Sequence, residues 1–127
     1  MYQPTLLCVD DRPAILQLRK VTLEQHGYSV VTATSAQAAI AALEHQAIAA
    51  VVLEYKFEGM DAEAVAWHIK RRFPSQPILL LSAYSELPER VLWLVDEYVM
   101  RSEPLDGLLH VIERVTSSAP ARARVAV

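Results

Sequence analysis

The sequence predicts an α/β fold in which five parallel strands alternate with helices laid on both faces of one sheet. Five short apolar runs, at Thr5 to Val9, Ser29 to Ala33, Ile48 to Leu53, Ile78 to Leu81 and Tyr98 to Met100, are each too short for an ordinary helix. Several are β-branched or wholly apolar, as buried parallel strands are. Stretches of helical periodicity separate them. The 127 residues, 53% hydrophobic and 21% charged, suit a single domain with one sizeable core.

Pro13 fits the first turn of a helix and opens a stripe of Ile15, Leu16, Leu18 and Leu23 that Gly27 ends. Ser35 is placed to cap a second helix carrying Ala39, Ile40 and Leu43. Asp61 can cap a third, with Ala62, Val65, Ala66, Ile69 and Phe73, which Pro74 and Pro77 terminate. A fourth helix is expected near Glu86 to Val95, its start limited by Pro88. The fifth is the plainest: Leu105, Leu108, Leu109, Ile112 and Val115 recur at helical spacing. Right-handed crossovers between such units give a flavodoxin-like (βα)5 three-layer sandwich with strand order 2-1-3-4-5. The domain is expected over residues 1–116, leaving 117–127, which begins Ser117-Ser118-Ala119-Pro120, as a flexible tail or linker stub with no second domain.

The charge pattern narrows the function. Twelve Lys and Arg are scattered among fifteen Asp and Glu, for a net charge of −3, which argues against direct nucleic-acid binding. No apolar run is long enough for a membrane span, and nothing at the N-terminus resembles a targeting segment, so a cytoplasmic location is expected. The one cysteine, Cys8, lies within an apolar run and is read as a small buried hydrophobe. His26, His45, His68 and His110 show no close local spacing for a metal site. Trp67, Trp93 and Tyr84 are read as packing residues, with Trp93 also placed for a partner contact.

In doubly wound sheets, functional groups collect at the carboxyl ends of the strands. The first strand ends in Asp10-Asp11, a pair suited either to capping the next helix or, with waters and phosphate oxygens, to holding a divalent cation. The third delivers Glu54, followed by Tyr55-Lys56-Phe57-Glu58-Gly59-Met60-Asp61. The fourth ends Ser82-Ala83 and the fifth Tyr98-Val99-Met100-Arg101. Three acids, a hydroxyl and a cation are thereby directed to one rim. Ser82 lacks a Gly-x-Ser-x-Gly elbow, so a hydrolase nucleophile is not expected. No Gly-rich phosphate loop follows the first strand, which disfavours a flavodoxin-like ligand-binding domain.

From about Thr5 to Val115 the chain resembles the receiver domain of response regulators in two-component phosphorelays. Asp10, Asp11, Ser82 and Tyr98 match that family's acidic pair, switch hydroxyl and switch aromatic, and Gly59-Met60-Asp61 matches the loop after its phosphoacceptor. The departures carry as much meaning. Glu54 stands at the position of the acceptor Asp, Arg101 at that of the Lys, and Ser102 at that of the following Pro. Arg12 stands where a third acid is common. The interval from Ser82 to Arg101 is shorter than usual by about three residues, almost one helical turn.

The resemblance therefore implies an atypical single-domain response regulator, not an enzyme, acting as a phosphorylation-independent protein-interaction switch. The alternative is a conventional phospho-accepting receiver using Glu54 or a neighbouring acid. One added methylene shifts the carboxylate by about 1 Å or more, enough to cost in-line transfer on the order of 100-fold. Glu54 is expected to push its charge outward into a standing ion pair with Arg101, with Ser82 turned inward and Tyr98 buried. Lys56 is read either as a solvated loop lysine or as a pocket neighbour whose ammonium competes with a metal, and Arg101, joined by Lys56 in the second case, would neutralise Asp10, Asp11 and Glu54 and leave magnesium weakly bound at best. Partners are expected to be a histidine kinase or a downstream signalling protein, with self-association open but altered across the shortened fourth helix, fifth strand and fifth helix. The peptide before Ser102 is expected to be trans, since without proline a cis bond costs about 2.5–4 kcal/mol.

Overall fold

The computed structural model describes residues 3–56, 59–101 and 104–126, with side chains through Ser117. Strands β1 (Thr5–Val9), β2 (Ser29–Ala33), β3 (Ala50–Tyr55), β4 (Ile78–Ser82) and β5 (Glu97–Met100) form one parallel sheet in the order 2-1-3-4-5. Helices α1 (Pro13–Glu24), α2 (Ala36–His45), α3 (Ala62–Arg72), α4 (Glu89–Leu92) and α5 (Leu105–Ala126) alternate with them. Pro13 occupies the first turn of α1, and the side chains of Ser35 and Asp61 cap α2 and α3 by accepting from the backbone amides of Ala38 and Ala64, each at 3.1 Å. Gly27 adopts a positive φ just after α1, as a residue without Cβ can.

Strand alternation divides the core between the two faces. Leu7, Val9, Val51, Leu53, Ile78 and Leu80 pack toward α2, α3 and α4. Leu6, Cys8, Val52, Leu79 and Leu81 pack toward Leu16 and Leu23 of α1 and Ile112 and Val115 of α5. Burial pushes the Cys8 thiol up to about 12, so it remains an uncharged core side chain.

Four expectations need correction. Strand β3 starts at Ala50 rather than Ile48 and runs through Tyr55, so Glu54 lies within the strand and not at its end. The fourth helix is a single turn, Glu89–Leu92, because Pro88 sets its start and Asp96 must already donate its amide to the Ile78 carbonyl at the edge of the sheet. Trp93, just past that turn, is 80% exposed and packs into no core. Leu18 is 66% exposed, since two residues beyond Leu16 lies about 200° round the helix, on the opposite face. Helix α5 continues through Ala126. Val115 and Thr116 are the last buried side chains among the described residues. The peptide before Ser102 lies outside the described residues.

Candidate functional site

Parallel register aligns the carboxyl ends of the central strands, with Val9 opposite Leu53, Tyr55 opposite Ser82 and Ser82 opposite Met100. This brings Asp10, Asp11, Glu54, Lys56, Ser82 and Arg101 to one rim. Within β3, side chains alternate between the sheet faces, and Glu54 follows Val52 onto the face covered by α1 and α5. There it meets cations.

Glu54 is fully buried. Its Oε1 accepts a hydrogen bond from Arg19 Nη2 at 3.3 Å and lies 3.8 Å from Arg12 Nη2, and its Oε2 lies 3.7 Å from Arg101 Nε. The expected pairing of Glu54 with Arg101 is thus present, but as one side of a cage whose nearest member is Arg19. The expectation that Glu54 projects outward is overturned: the strand keeps the carboxylate inside the fold and the arginines come to it. Burial pushes the Glu54 carboxyl above its ordinary value. The charges of Arg19, Arg101 and Arg12 pull it back only in part, and that of Asp10 adds to the rise.

The acidic pair is equally engaged. Asp10, fully buried, accepts from the backbone amide and Nε of Arg12 through Oδ1, at 3.0 and 3.1 Å, and from Arg12 Nη2 through Oδ2 at 2.8 Å. Burial alone would raise the Asp10 carboxyl. The hydrogen bonds from Arg12, aided by the charges of Arg12 and Lys56, instead hold it below its usual range. Lys56 does lean over the pocket: its ammonium hydrogen-bonds Asp11 Oδ1 and lies 3.4 Å from Asp10 Oδ1. The amide of Met60 donates to Asp11 Oδ2 at 2.8 Å. Three carboxylates therefore face four cations, Arg12, Arg19, Lys56 and Arg101.

This donor set does not suit a divalent cation as it stands. A magnesium ion needs free carboxylate oxygens and close approach, and here protein cations already lie against them. Among the described residues, no group of three or more His, Cys, Asp or Glu side chains is placed to hold a metal ion.

At the switch positions, Ser82 is fully buried and its Oγ accepts from the Tyr84 amide at 2.9 Å, while its carbonyl accepts from the Arg101 amide at 2.6 Å. Tyr98 is half-buried, and its hydroxyl donates to the Tyr84 carbonyl. The Tyr84 ring meets Tyr55 edge-on, with centroids 6.3 Å apart. One segment, Ser82 to Tyr84, thus links the rim to β5.

Sequence reasoning missed Arg19. The signal was available: Arg19 falls three residues after Leu16 and four before Leu23, on the stripe α1 turns toward the sheet, and a cation on a buried stripe needs a buried anion.

Gly59 completes the pocket wall with a φ of +87°, and a Cβ there would collide with Asp11 Oδ2 and crowd Lys56 Nζ. Gly59→Ala is expected to destabilise the fold by about 1–3 kcal/mol and to dislodge Asp11 from the Met60 amide. Thermal unfolding checks the first effect and the Met60 amide shift the second.

A flavodoxin-like sheet with an acidic pair, a further acid, a hydroxyl and a cation at its carboxyl rim defines a receiver-type signalling module. The chain belongs to the response regulator receiver domain family, whose model matches residues 6–99. It is 30% identical over 120 residues to the transcriptional regulatory protein GlrR of Escherichia coli K12, and 33% identical over 124 residues to the sensor protein GacS of Pseudomonas syringae. Each alignment covers 91% of the chain but only 27% of GlrR and 14% of GacS. The response regulator protein TrrA of Thermotoga maritima, solved in complex with Mg(2+)-BeF, superposes with a TM-score of 0.79 at 30% identity, over 89% of this chain and 99% of TrrA. Another solved structure holds TrrA in complex with the histidine kinase ThkA. No helix among the described residues is long and apolar enough to cross a membrane.

Proposed function

We propose that this receiver domain works as a phosphorylation-independent protein-interaction switch in which the arginine cage around Glu54 takes the place of the phosphoryl group. The observation that carries this is the burial of Glu54 among three guanidiniums within 3.8 Å. An acceptor carboxylate must present an oxygen to an incoming phosphoryl group, but Glu54 Oε1 is turned to Arg19 and Arg12, and the whole side chain is closed to solvent. A planar guanidinium can hold a carboxylate bidentately and does not deprotonate, so the cationic side of the cage persists at any physiological pH. Glu54 then marks the degenerate acceptor position and Arg101 the conserved-Lys position, with Ser82 and Tyr98 as the switch pair.

In the cytoplasm, the partners of such a switch are a histidine kinase, as TrrA has in ThkA, or a downstream signalling protein. Magnesium binds weakly, because Lys56 and Arg12 already neutralise Asp10 and Asp11. Mass spectrometry of the intact protein after acetyl phosphate and magnesium is the test. No adduct is expected on the natural chain, and a phosphoryl adduct is expected only in the Glu54→Asp, Arg101→Lys, Arg19→Gln variant. A stoichiometric adduct on the natural chain refutes the reading.

A further inference from the structure

Between α1 and α5 lies a cavity of about 310 Å³, beside the cage and opening to solvent past Leu18 and Leu105, which are 66% and 42% exposed. Its walls are aliphatic, from Ile15, Leu18 and Leu23 on one helix and Leu105 and Leu108 on the other, with Leu81 contributed by the sheet. Its polar members include Arg19 and Arg101, the same two arginines that face Glu54. Arg19 has only 13% of its side chain exposed, and its buried Nη1 has no hydrogen-bond partner among the described residues. A buried guanidinium donor left unsatisfied is costly and is met best by an anion.

We propose that this cavity binds a small apolar monocarboxylate, its chain between α1 and α5 and its carboxylate on Arg19 and Arg101. The size lies at the lower end of ordinary ligand sites, and the lining has their usual form, apolar walls with a few placed polar groups. A neutral apolar ligand would leave Arg19 Nη1 unpaired, and a cation would face two guanidiniums. Charge and wall chemistry together select an anion with an aliphatic body. Because both arginines also hold Glu54, the bound carboxylate competes with Glu54 for them. That consequence rests on the cage reading above, whereas binding itself rests on the cavity.

Octanoate titrated into the full chain by calorimetry is the probe. Saturable binding is expected at one site. Octan-1-ol, with the same chain and no charge, is expected to bind about tenfold or more weakly, and acetate, with the charge and no chain, to give no measurable binding. Leu18→Glu, at an exposed position where the fold is retained, places a like charge at the mouth and is expected to weaken octanoate by about tenfold, as is Arg19→Gln. Glu54→Gln removes the competing carboxylate and is expected to bind octanoate as well as the natural chain or better, which supports the cavity independently of the cage. Amide shifts on octanoate addition are expected to cluster on α1, α5 and Arg101. Absence of saturable binding, equal affinity for octan-1-ol, or affinity unchanged in both Leu18→Glu and Arg19→Gln overturns the proposal. So does a dimer sealed through this face that octanoate does not dissociate.

Discussion

Arg19→Met is expected to destabilise the protein by about 3 kcal/mol at neutral pH, the loss that follows when one partner of a buried ion pair is removed and the other stays behind. For a chain of this size that is a fall in Tm on the order of 10 °C. Arg19 donates the only side-chain hydrogen bond to Glu54 among the described residues, and Arg12 and Arg101 stand farther off at 3.8 and 3.7 Å. The pH dependence has a definite sign. Burial already sets the Glu54 carboxyl above its unfolded value, and losing Arg19 removes the largest influence pulling it down. As pH falls through that raised value the folded state takes up a proton that the unfolded state does not yet bind, so the penalty in Arg19→Met shrinks toward acid. Adding Glu54→Met to Arg19→Met is expected to recover most of the loss, a coupling that a double-mutant cycle in urea measures directly. Additive losses would mean that the two side chains do not depend on one another.

Lys56→Ala is expected to tighten magnesium binding by about tenfold or more, because it removes a tethered cation that competes with the metal for two carboxylates. The Lys56 ammonium lies on Asp11 and 3.4 Å from Asp10, where the positive charge of a divalent ion would otherwise be welcome. Asp11, 28% exposed at its side chain, is then released toward solvent, while Arg12 continues to hold Asp10. Titration with magnesium by calorimetry, comparing the natural chain with Lys56→Ala, reads the difference. Equal affinities would show that Lys56 is a bystander and that Arg12 alone governs the pair.

Much of this was legible from residue pattern, for physical reasons that also explain the misses. Strands β1 and β4 are almost wholly apolar runs and β2 is a short β-branched one, and their positions follow from local composition. The caps at Ser35 and Asp61 are local interactions, set by residues three apart. Glu54 was harder to place because its charge reads as the end of an apolar strand, whereas the ladder continues through Tyr55 opposite Ser82 and carries the carboxylate into the core. Local spacing places Arg19 on the buried stripe of α1, but its partner lies 35 residues away on β3, so the pairing with Glu54 was not legible from that spacing alone. Lys56 is an intermediate case. Two residues beyond Glu54, it was open to two readings, solvated or leaning over the pocket, and its contacts with Asp11 and Asp10 decide for the second. The single turn of α4 reflects two constraints a sequence states only separately, the Pro88 start and the short interval to β5.

The most direct measurement is the amide proton–nitrogen correlation spectrum of the full chain before and after adding beryllofluoride with magnesium. With Glu54 held by Arg19, Arg12 and Arg101, the amides of Tyr84, Arg101 and the β5 residues up to Met100 are expected to keep their positions. Shifts of those amides that saturate with beryllofluoride, and that spread from Ser82 to Tyr98, would contradict the standing cage and restore a phosphate-driven switch.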